Sequence, residues 1–142
     1  MPEQNLKGRG VSRDPPNRFS QEWWEPEPGE LPDNTTELIE DHSASILNPN
    51  TSPDVPFRLG LNPYRGCEHG CVYCYARPSH EYLGYSPGLD FERKIVFKPR
   101  AAELLREALG KRSYEPEVIM LSGNTDCYQP VERRLELTRG CL

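Results

Sequence analysis

No stretch of this sequence approaches the ~20 apolar residues that a membrane-spanning helix needs. The opening residues, MPEQNLKGRG, contain no apolar run, so no secretory signal is expected. We therefore expect a cytoplasmic protein without membrane association. Because thiols stay reduced in the cytoplasm, clustered cysteines there favour a metal or redox site over disulfides.

Apolar residues are scarce, at 35% of the chain, and nine of the 15 prolines lie in residues 1–56. Residues 21–41 hold eight acidic side chains and no basic one. Such a segment buries too little apolar surface to offset chain entropy. Residues 1–56 are therefore predicted to be a Pro-rich, acidic and mostly disordered extension. Within it, Trp23 and Trp24 either dock on the body or stay exposed, and residues 35–39 begin a short helix.

A surplus of basic residues is also lacking, since the formal net charge is −5. This balance argues against a general nucleic-acid-binding surface, which is usually basic. A local basic groove is still compatible with this net charge.

Ordered structure is expected from about Phe57 onward, in residues 57–142. Alternating or continuous apolar residues predict strands at 57–61, 94–98 and 118–121, the last one buried in a parallel sheet. Helical spacing of apolar residues predicts helices at 101–109 and 131–142, and a shorter one at 74–83. Alternation of strands and helices in this way is typical of the first part of an α/β barrel or of an open α/β sheet. Because the last helix carries no stop signal, we expect the first, truncated part of a longer enzyme.

Three cysteines stand close together just after the first predicted strand. Cys67, Cys71 and Cys74 have the spacing C-x3-C-x2-C, with Gly66 and Gly70 beside them. Three thiolates on one short loop bind three irons of a [4Fe-4S] cluster and leave the fourth iron open to a small molecule. Glycines let the backbone wrap closely around such a cluster.

Two other interpretations of the cysteines remain open at this point. A structural zinc needs four ligands, and His69 or His80 would complete a Cys3His set. However, zinc sites usually pair two distant knuckles, and no second pair exists. A thiol redox pair of Cys71 and Cys74 would leave Cys67 unexplained.

The segments NPYRGCEHGCVYCYAR and SGNTDCYQPVERRLELTRGCL resemble the radical S-adenosylmethionine (SAM) superfamily. More narrowly, they resemble its uncharacterised branch related to spore photoproduct lyase. The segment GRGVSRDPPNRF resembles the front extension of that branch. The resemblance implies the first units of a partial (β/α)6 barrel, a [4Fe-4S] cluster on Cys67, Cys71 and Cys74, and SAM on the open iron. The implied reaction is reductive cleavage of SAM to a 5′-deoxyadenosyl radical, which abstracts hydrogen from an unknown substrate.

The resemblance also implies residues that bind SAM. Tyr73 matches the aromatic position near the adenine. The run Ser122, Gly123, Asn124 and Thr125 occupies the place of a Gly-Gly-Glu-like motif that receives the SAM amino group, although no Glu follows the glycine here. Asp126 is a candidate for contact with the ribose or for orienting Thr125, and the alternative is a turn residue.

Several other polar residues have both a functional and a structural interpretation. Cys127 is a candidate for hydrogen-atom donation or substrate contact, and otherwise a small buried filler. Arg65 and Arg77 flank the cysteines and would steer the SAM carboxylate, bind the cluster surroundings or carry surface charge. Cys141 is expected to pack, and residues 132–134 to be surface charges.

The partners implied are SAM, an electron donor such as flavodoxin or ferredoxin, and an unidentified substrate. Nucleic acid is one candidate for that substrate. DNA lesion repair resembling that of spore photoproduct lyase is one alternative function. A non-catalytic Cys3His zinc module is the other. About 200 residues are needed for a full barrel of this type, so the segment alone is expected to be inactive.

Overall fold

The computed structural model describes residues 8–20 and 34–142. The tryptophan pair, Trp23 and Trp24, lies outside the described residues, as does most of the acidic stretch. The described chain is a mixed α/β structure with two small sheets and a few short helices.

Six strands and four α-helices follow one another along the described part of the chain. The strands are β1 (Glu37–Glu40), β2 (Leu47–Pro49), β3 (Leu59–Leu61), β4 (Tyr64–Arg65), β5 (Lys94–Phe97) and β6 (Ile119–Leu121). The helices are α1 (Leu89–Arg93), α2 (Ala101–Leu109), α3 (Glu132–Leu135) and α4 (Leu137–Cys141), and a 3-10 helix spans Arg77–Leu83.

The six strands form two three-stranded sheets. In the first, β5 lies between β1, which is parallel to it, and β4, which is antiparallel. In the second, β3 lies between the antiparallel β2 and the parallel β6. The connection from β3 to its parallel neighbour β6 includes helix α2.

Each sheet contributes to a separate apolar cluster. Ile46 and Leu61 pack with Ala101, Leu104 and Leu105 of α2. The second cluster is built on Tyr64, Ile95 and Val131, which are all almost fully buried. The helical periodicity of 101–109 therefore correctly predicted the buried residues Ala101, Leu104 and Leu105, whereas Leu109, which the same spacing places on that face, is 41% exposed.

The first part of the chain is more ordered than its composition predicts. The expected start of order near Phe57 is wrong, because β1 and β2 both precede it. Residues 35–39 do not begin a helix, since Glu37–Glu40 pairs with β5 along its whole length. Ile46, also in this extension, is only 1% exposed. Partners distant in sequence supply the backbone hydrogen bonds and the burial that local composition lacks.

Several predicted elements occur where the sequence placed them, with one difference in burial. Strand β5 and helix α2 match residues 94–98 and 101–109. Strand β6 is parallel to β3, as expected. Its burial was predicted wrongly, since Met120 is 41% exposed. The region 74–83 contains the 3-10 helix, whose first turn holds Pro78, where the missing N–H does no harm.

The predicted helix at 131–142 is two short helices with a break at Glu136. Glu136 has a left-handed backbone, with φ 50°, between α3 and α4. The buried carboxylate of Glu132 accepts hydrogen bonds from the N–H groups of Thr138 and Arg139 at 3.1 and 3.0 Å. It thereby caps α4 from the preceding helix. Glu132 is thus not the surface charge that we expected, and Leu142, predicted on the apolar face, is exposed.

A membrane-spanning helix was not expected, and none of the helices in the described part of the chain has the length and apolar character to form one.

Candidate functional site

The three cysteines lie on the cysteine loop, residues 66–74, which follows β4 directly. The Cys67 N–H donates to the Phe91 carbonyl at 3.0 Å, which ties the start of the loop to α1. Tight turns follow, from Gly70 N–H to Cys67 O and from Cys74 N–H to Cys71 O. The loop is therefore compact and its backbone is well bonded.

Two glycines in this loop adopt backbones that other residues avoid. Gly66 has φ 80° and Gly70 has φ 59°. A Cβ at Gly66 would lie 2.9 Å from the Phe91 carbonyl oxygen, and one at Gly70 would lie 2.9 Å from the Glu92 carboxyl carbon. Both positions therefore require glycine for conformation and for space.

All three thiols are free, and their environments differ. Cys67 is buried, whereas Cys71 and Cys74 are half-buried. Burial raises the pKa of the Cys67 thiol, and hydrogen bonds from the backbone N–H groups of His69 and Asp126 partly oppose this. Because metals bind the thiolate, binding at Cys67 would release a proton.

The thiols are not gathered into a metal-binding arrangement. Within residues 8–20 and 34–142, no three His, Cys, Asp or Glu side chains lie together as metal ligands would. The donor chemistry nevertheless fits a cluster, since three thiols on one short loop match the ligands of an iron–sulfur cubane.

A buried ion pair restrains the backbone of the cysteine loop. The Arg77 guanidinium donates to the carbonyls of Gly70 at 2.7 Å and Cys71 at 3.0 Å. The same group pairs with Glu92 at 2.7 Å, and Glu92 is only 2% exposed. Of the roles considered for Arg77, the contacts favour that of binding the surroundings of the cysteines.

The first described segment, residues 8–20, crosses over this ion pair. The Glu92 carboxylate accepts the backbone N–H groups of Arg9, Gly10 and Val11 at 2.6, 3.2 and 2.9 Å. A Cβ at Gly10 would overlap the Gly70 carbonyl oxygen, so the two backbones touch. The part of the extension in GRGVSRDPPNRF is therefore packed on the cysteine loop, a contact that sequence patterns did not predict.

The second loop, residues 122–126, follows β6 and contacts the cysteine loop. The Thr125 hydroxyl donates to the Gly66 carbonyl at 2.6 Å. Asp126 Oδ2 lies 3.2 Å from His69 Nε2, and the Tyr75 hydroxyl donates to the Gly123 carbonyl. The two segments singled out in the sequence thus meet, although the cysteine loop follows β4 and only the second loop directly follows a strand of the parallel pair β3–β6.

Two polar side chains next to the cysteines were missed by sequence reasoning. Gln129 is fully buried, donates to the Gly66 carbonyl at 3.2 Å and accepts the Glu68 N–H at 3.0 Å. Glu68 in turn accepts the Val131 N–H at 2.6 Å and the Thr36 hydroxyl at 2.7 Å. Both residues stand inside the motifs, but only the fold brings Gln129 into contact with Glu68 next to Cys67.

Two side-chain oxygens of the second loop have no hydrogen-bond partner among the described residues. They are Ser122 Oγ and Asn124 Oδ1, and both are buried. Ser122 also has a left-handed backbone, with φ 61°. Asn124 lines a cleft of about 310 Å³. Because buried polar atoms normally have partners, the two oxygens mark a place where a ligand donor fits.

Tyr73 and Cys127 are placed differently from the residues above. Tyr73 is 86% exposed, and a hydrogen bond with Cys71 raises the pKa of its hydroxyl. Cys127 is half-buried, and its carbonyl accepts the Thr138 hydroxyl at 2.9 Å. Cys141 packs against the cluster of α2, as predicted, and burial raises the pKa of its thiol.

The histidines considered as zinc ligands are engaged in other contacts. His69 contacts Asp126, as described above. His80 is fully buried, its Nε2 lies 2.8 Å from the Lys94 carbonyl oxygen, and its ring packs edge-on against Phe91. Burial lowers the pKa of His80, so the neutral ring is favoured.

Comparison with known proteins finds relatives without an assigned function. Uncharacterised proteins of Mycobacterium tuberculosis (strain H37Rv) and Mycobacterium bovis are each 46% identical over 100 residues, covering 69% of this chain and 29% of theirs. An uncharacterised protein of Methanocaldococcus jannaschii is 28% identical over 106 residues, covering 75% of this chain and 37% of its own. No protein-family model matches the chain, and no solved structure matches it significantly. The chain spans less than a third of the mycobacterial relatives that it matches.

Proposed function

We propose that this chain belongs to a radical SAM enzyme, in the uncharacterised branch related to spore photoproduct lyase. Cys67, Cys71 and Cys74 would hold a [4Fe-4S] cluster, and SAM would occupy the open iron. When bound, these groups supply one-electron cleavage of SAM to a 5′-deoxyadenosyl radical that removes hydrogen from a substrate. An electron donor such as flavodoxin or ferredoxin would reduce the cluster.

The observation that carries this proposal is the contact between the two motif loops. Thr125 bonds to the Gly66 carbonyl, and the Asp126 N–H bonds to the Cys67 thiol. A cofactor held by the cysteine loop would therefore lie beside the side chains of residues 122–126. The proposal requires the three thiols to move together when the cluster binds, because they are not gathered around one point in this structure.

The support beneath the cysteine loop fits a cluster-binding role. Arg77 fixes the carbonyls of Gly70 and Cys71, and Glu92 holds Arg77 in place. These contacts bind the backbone and leave the thiols free for metal. Because these hydrogen bonds restrain the backbone of the cysteine loop, they would keep the three thiols within reach of one small cluster.

The chain's own residues would orient SAM and exclude water from it. Asn124 Oδ1, which has no partner, would accept a hydrogen bond from the SAM amino group, and Ser122 Oγ lies in the same loop. Tyr73 would cover the adenine with its exposed ring. Thr125 and Asp126 would set the distance between the two loops.

The finer fold that we propose is the start of a partial (β/α)6 barrel. Strand β3, helix α2 and strand β6 would be its first parallel unit. The second loop would then follow the carboxyl end of β6, and the cysteine loop would follow β3 after the short strand β4, on the side where barrel enzymes place their chemistry.

The test is anaerobic reconstitution of the full-length protein with iron and sulfide. We expect about four irons and four sulfides per chain, a [4Fe-4S] absorption spectrum and, with a reductant, conversion of SAM to methionine and 5′-deoxyadenosine. Cys71→Ser should lose the cluster, and Cys141→Ser, outside the loop, should keep it. A tightly held zinc without iron or sulfide would contradict the proposal and favour the zinc module.

A further inference from the structure

One cleft in the described part of the chain contains two basic side chains, Arg65 and Lys98, to which the proposed function assigns no contact. Its walls come from both sheets and from the 3-10 helix, and its volume is about 310 Å³, at the lower end for metabolite sites. The lining includes Arg65, Lys98 and the asparagines Asn48, Asn62 and Asn124, and no lining residue is acidic.

Arg65 enters this cleft without a carboxylate partner. Other arginines of the described chain do have one, such as Arg77 with Glu92 and Arg58 with Glu117. Among residues 8–20 and 34–142, no carboxylate forms an ion pair with Arg65. Because Arg65 is half-buried, its guanidinium is only partly hydrated, and an anionic ligand would be a favourable partner for it.

Lys98 adds a second positive charge to the same cleft. Its side chain is 6% exposed, and its ammonium donates to the Ser45 carbonyl at 2.9 Å. The one carboxylate paired with it in the described chain is that of Asp41, at 4.0 Å. Arg65 and Lys98 together carry two positive charges and Asp41 carries one negative charge, so one positive charge is left over.

The neutral groups around these cations are suited to a polar ligand. Asn62 Oδ1 already accepts the Asn124 N–H at 3.4 Å, which leaves the Asn62 NH2 group to donate. Asn124 Oδ1 has no partner and would accept an N–H or O–H. A fitting ligand thus carries both an oxyanion and a donor group.

We propose that this cleft, the oxyanion cleft, binds the carboxylate or phosphate of a small ligand between Arg65 and Lys98. The planar guanidinium offers two parallel N–H donors to such a group, and the ammonium adds a point charge. The oxyanion has two possible sources: the carboxylate of SAM, or a phosphate or carboxylate of the substrate. No cysteine lines the cleft, so binding of a substrate oxyanion would not need the cluster, whereas occupation by SAM rests on the proposed function.

The test titrates the full-length protein with inorganic phosphate, followed by calorimetry. We expect saturable binding to one site, weakened about tenfold or more in Arg65→Gln. Arg139→Gln is the matched control, since that arginine is 80% exposed and pairs only with Glu136 in the described chain. Its phosphate affinity should equal that of the wild type.

A second arm identifies the source of the oxyanion, using SAM in place of phosphate. If SAM competes with phosphate and Arg65→Gln weakens both, the carboxylate of SAM occupies the cleft. If SAM binds Arg65→Gln as it binds the wild type while phosphate binding falls, the oxyanion belongs to the substrate. Iron and sulfide are measured in the same samples, so failure of the cluster is seen separately.

Spectroscopy on the wild type keeps the proposal testable if Arg65→Gln does not fold. The Nε–H signal of Arg65, assigned by NMR with Arg65→Lys, should shift as phosphate is added. The proposal is overturned if wild type binds neither phosphate nor SAM, if Arg65→Gln binds both as the wild type does, or if the Arg65 signal stays unchanged.

Discussion

The two loops that meet at the candidate site differ in how completely their polar groups are bonded. In the cysteine loop, Arg77 and Gln129 donate to the carbonyls of Gly66, Gly70 and Cys71. In the second loop, the buried oxygens of Ser122 and Asn124 have no partner. One loop is thus fixed by the protein itself, and the other retains groups that a ligand can satisfy.

This difference has an energetic consequence. A buried polar group without a partner costs about 1–3 kcal/mol, which a bound ligand with a matching donor removes. The contacts of the cysteine loop are already made and contribute to folding. Substitutions that remove contacts of the cysteine loop should therefore change stability, whereas loss of an unpartnered side chain of the second loop should mainly change ligand affinity.

The largest effect should come from Glu92→Ala. Removal of the carboxylate leaves the Arg77 guanidinium buried without its counter-charge and frees three backbone N–H groups. We expect a loss of about 3–5 kcal/mol in the free energy of unfolding, measured by urea denaturation. Glu103→Ala is the control, because Glu103 is exposed and pairs with Arg100 on the surface. Equal stability of the two variants would contradict the role of the ion pair.

The next effect should come from Gly66→Ala compared with Gly84→Ala. Both glycines have nearly the same backbone, with φ 80° and 83°, so both alanines should cost about 1–2 kcal/mol of strain. A Cβ at Gly84 meets open space, whereas one at Gly66 meets the Phe91 carbonyl and the His80 ring at 2.9 Å. We expect Gly66→Ala to cost about 1–3 kcal/mol more in thermal or urea unfolding. Identical losses of stability in the two variants would mean that the cysteine loop shifts to accommodate the added Cβ at no energetic cost.

A smaller effect is expected for Thr125→Val, which removes the hydrogen bond that joins the two loops. The Gly66 carbonyl keeps its bond from Gln129, so the loss should be only about 0.5–1.5 kcal/mol. Thr125→Ser, which retains the hydroxyl, should recover most of the stability in the same denaturation experiment. Failure of serine to recover it would assign the loss to packing of the methyl group.

The smallest effect on stability should come from Asn124→Ala. Its side-chain oxygen makes no hydrogen bond in the described chain, so the free energy of unfolding should change by no more than about 0.5 kcal/mol. SAM affinity, measured by calorimetry on the reconstituted protein, should fall about tenfold. A large loss of stability with unchanged affinity would reverse our comparison of the two loops.

Local patterns predicted elements whose own residues carry a clear apolar pattern. The amphipathic spacing of 101–109 identified α2, and the apolar run at 94–98 identified β5. Both depend on periodicity that a single segment displays. The same reasoning failed for Glu37–Glu40 and for Glu132, because a strand pairing and a buried carboxylate depend on residues far along the chain or across a turn.

The residues of the candidate site likewise fall into those that the sequence predicted and those that only the structure revealed. Cysteine spacing located the thiols, and the motif resemblance located the second loop, but neither indicated Glu92, Gln129 or the contacts of residues 9–11. Glutamate and glutamine are common surface residues, and only burial distinguishes these two.

The sequence by itself determined which residues carry reactive groups and which segments have an apolar face, because both are properties of side-chain type and spacing. Only the tertiary structure decided which of those groups meet: the first segment packed on the cysteine loop, Arg65 beside Lys98, and the second loop against Gly66. Burial and long-range hydrogen bonds are set by the packing of the whole chain, and no short window of sequence contains them.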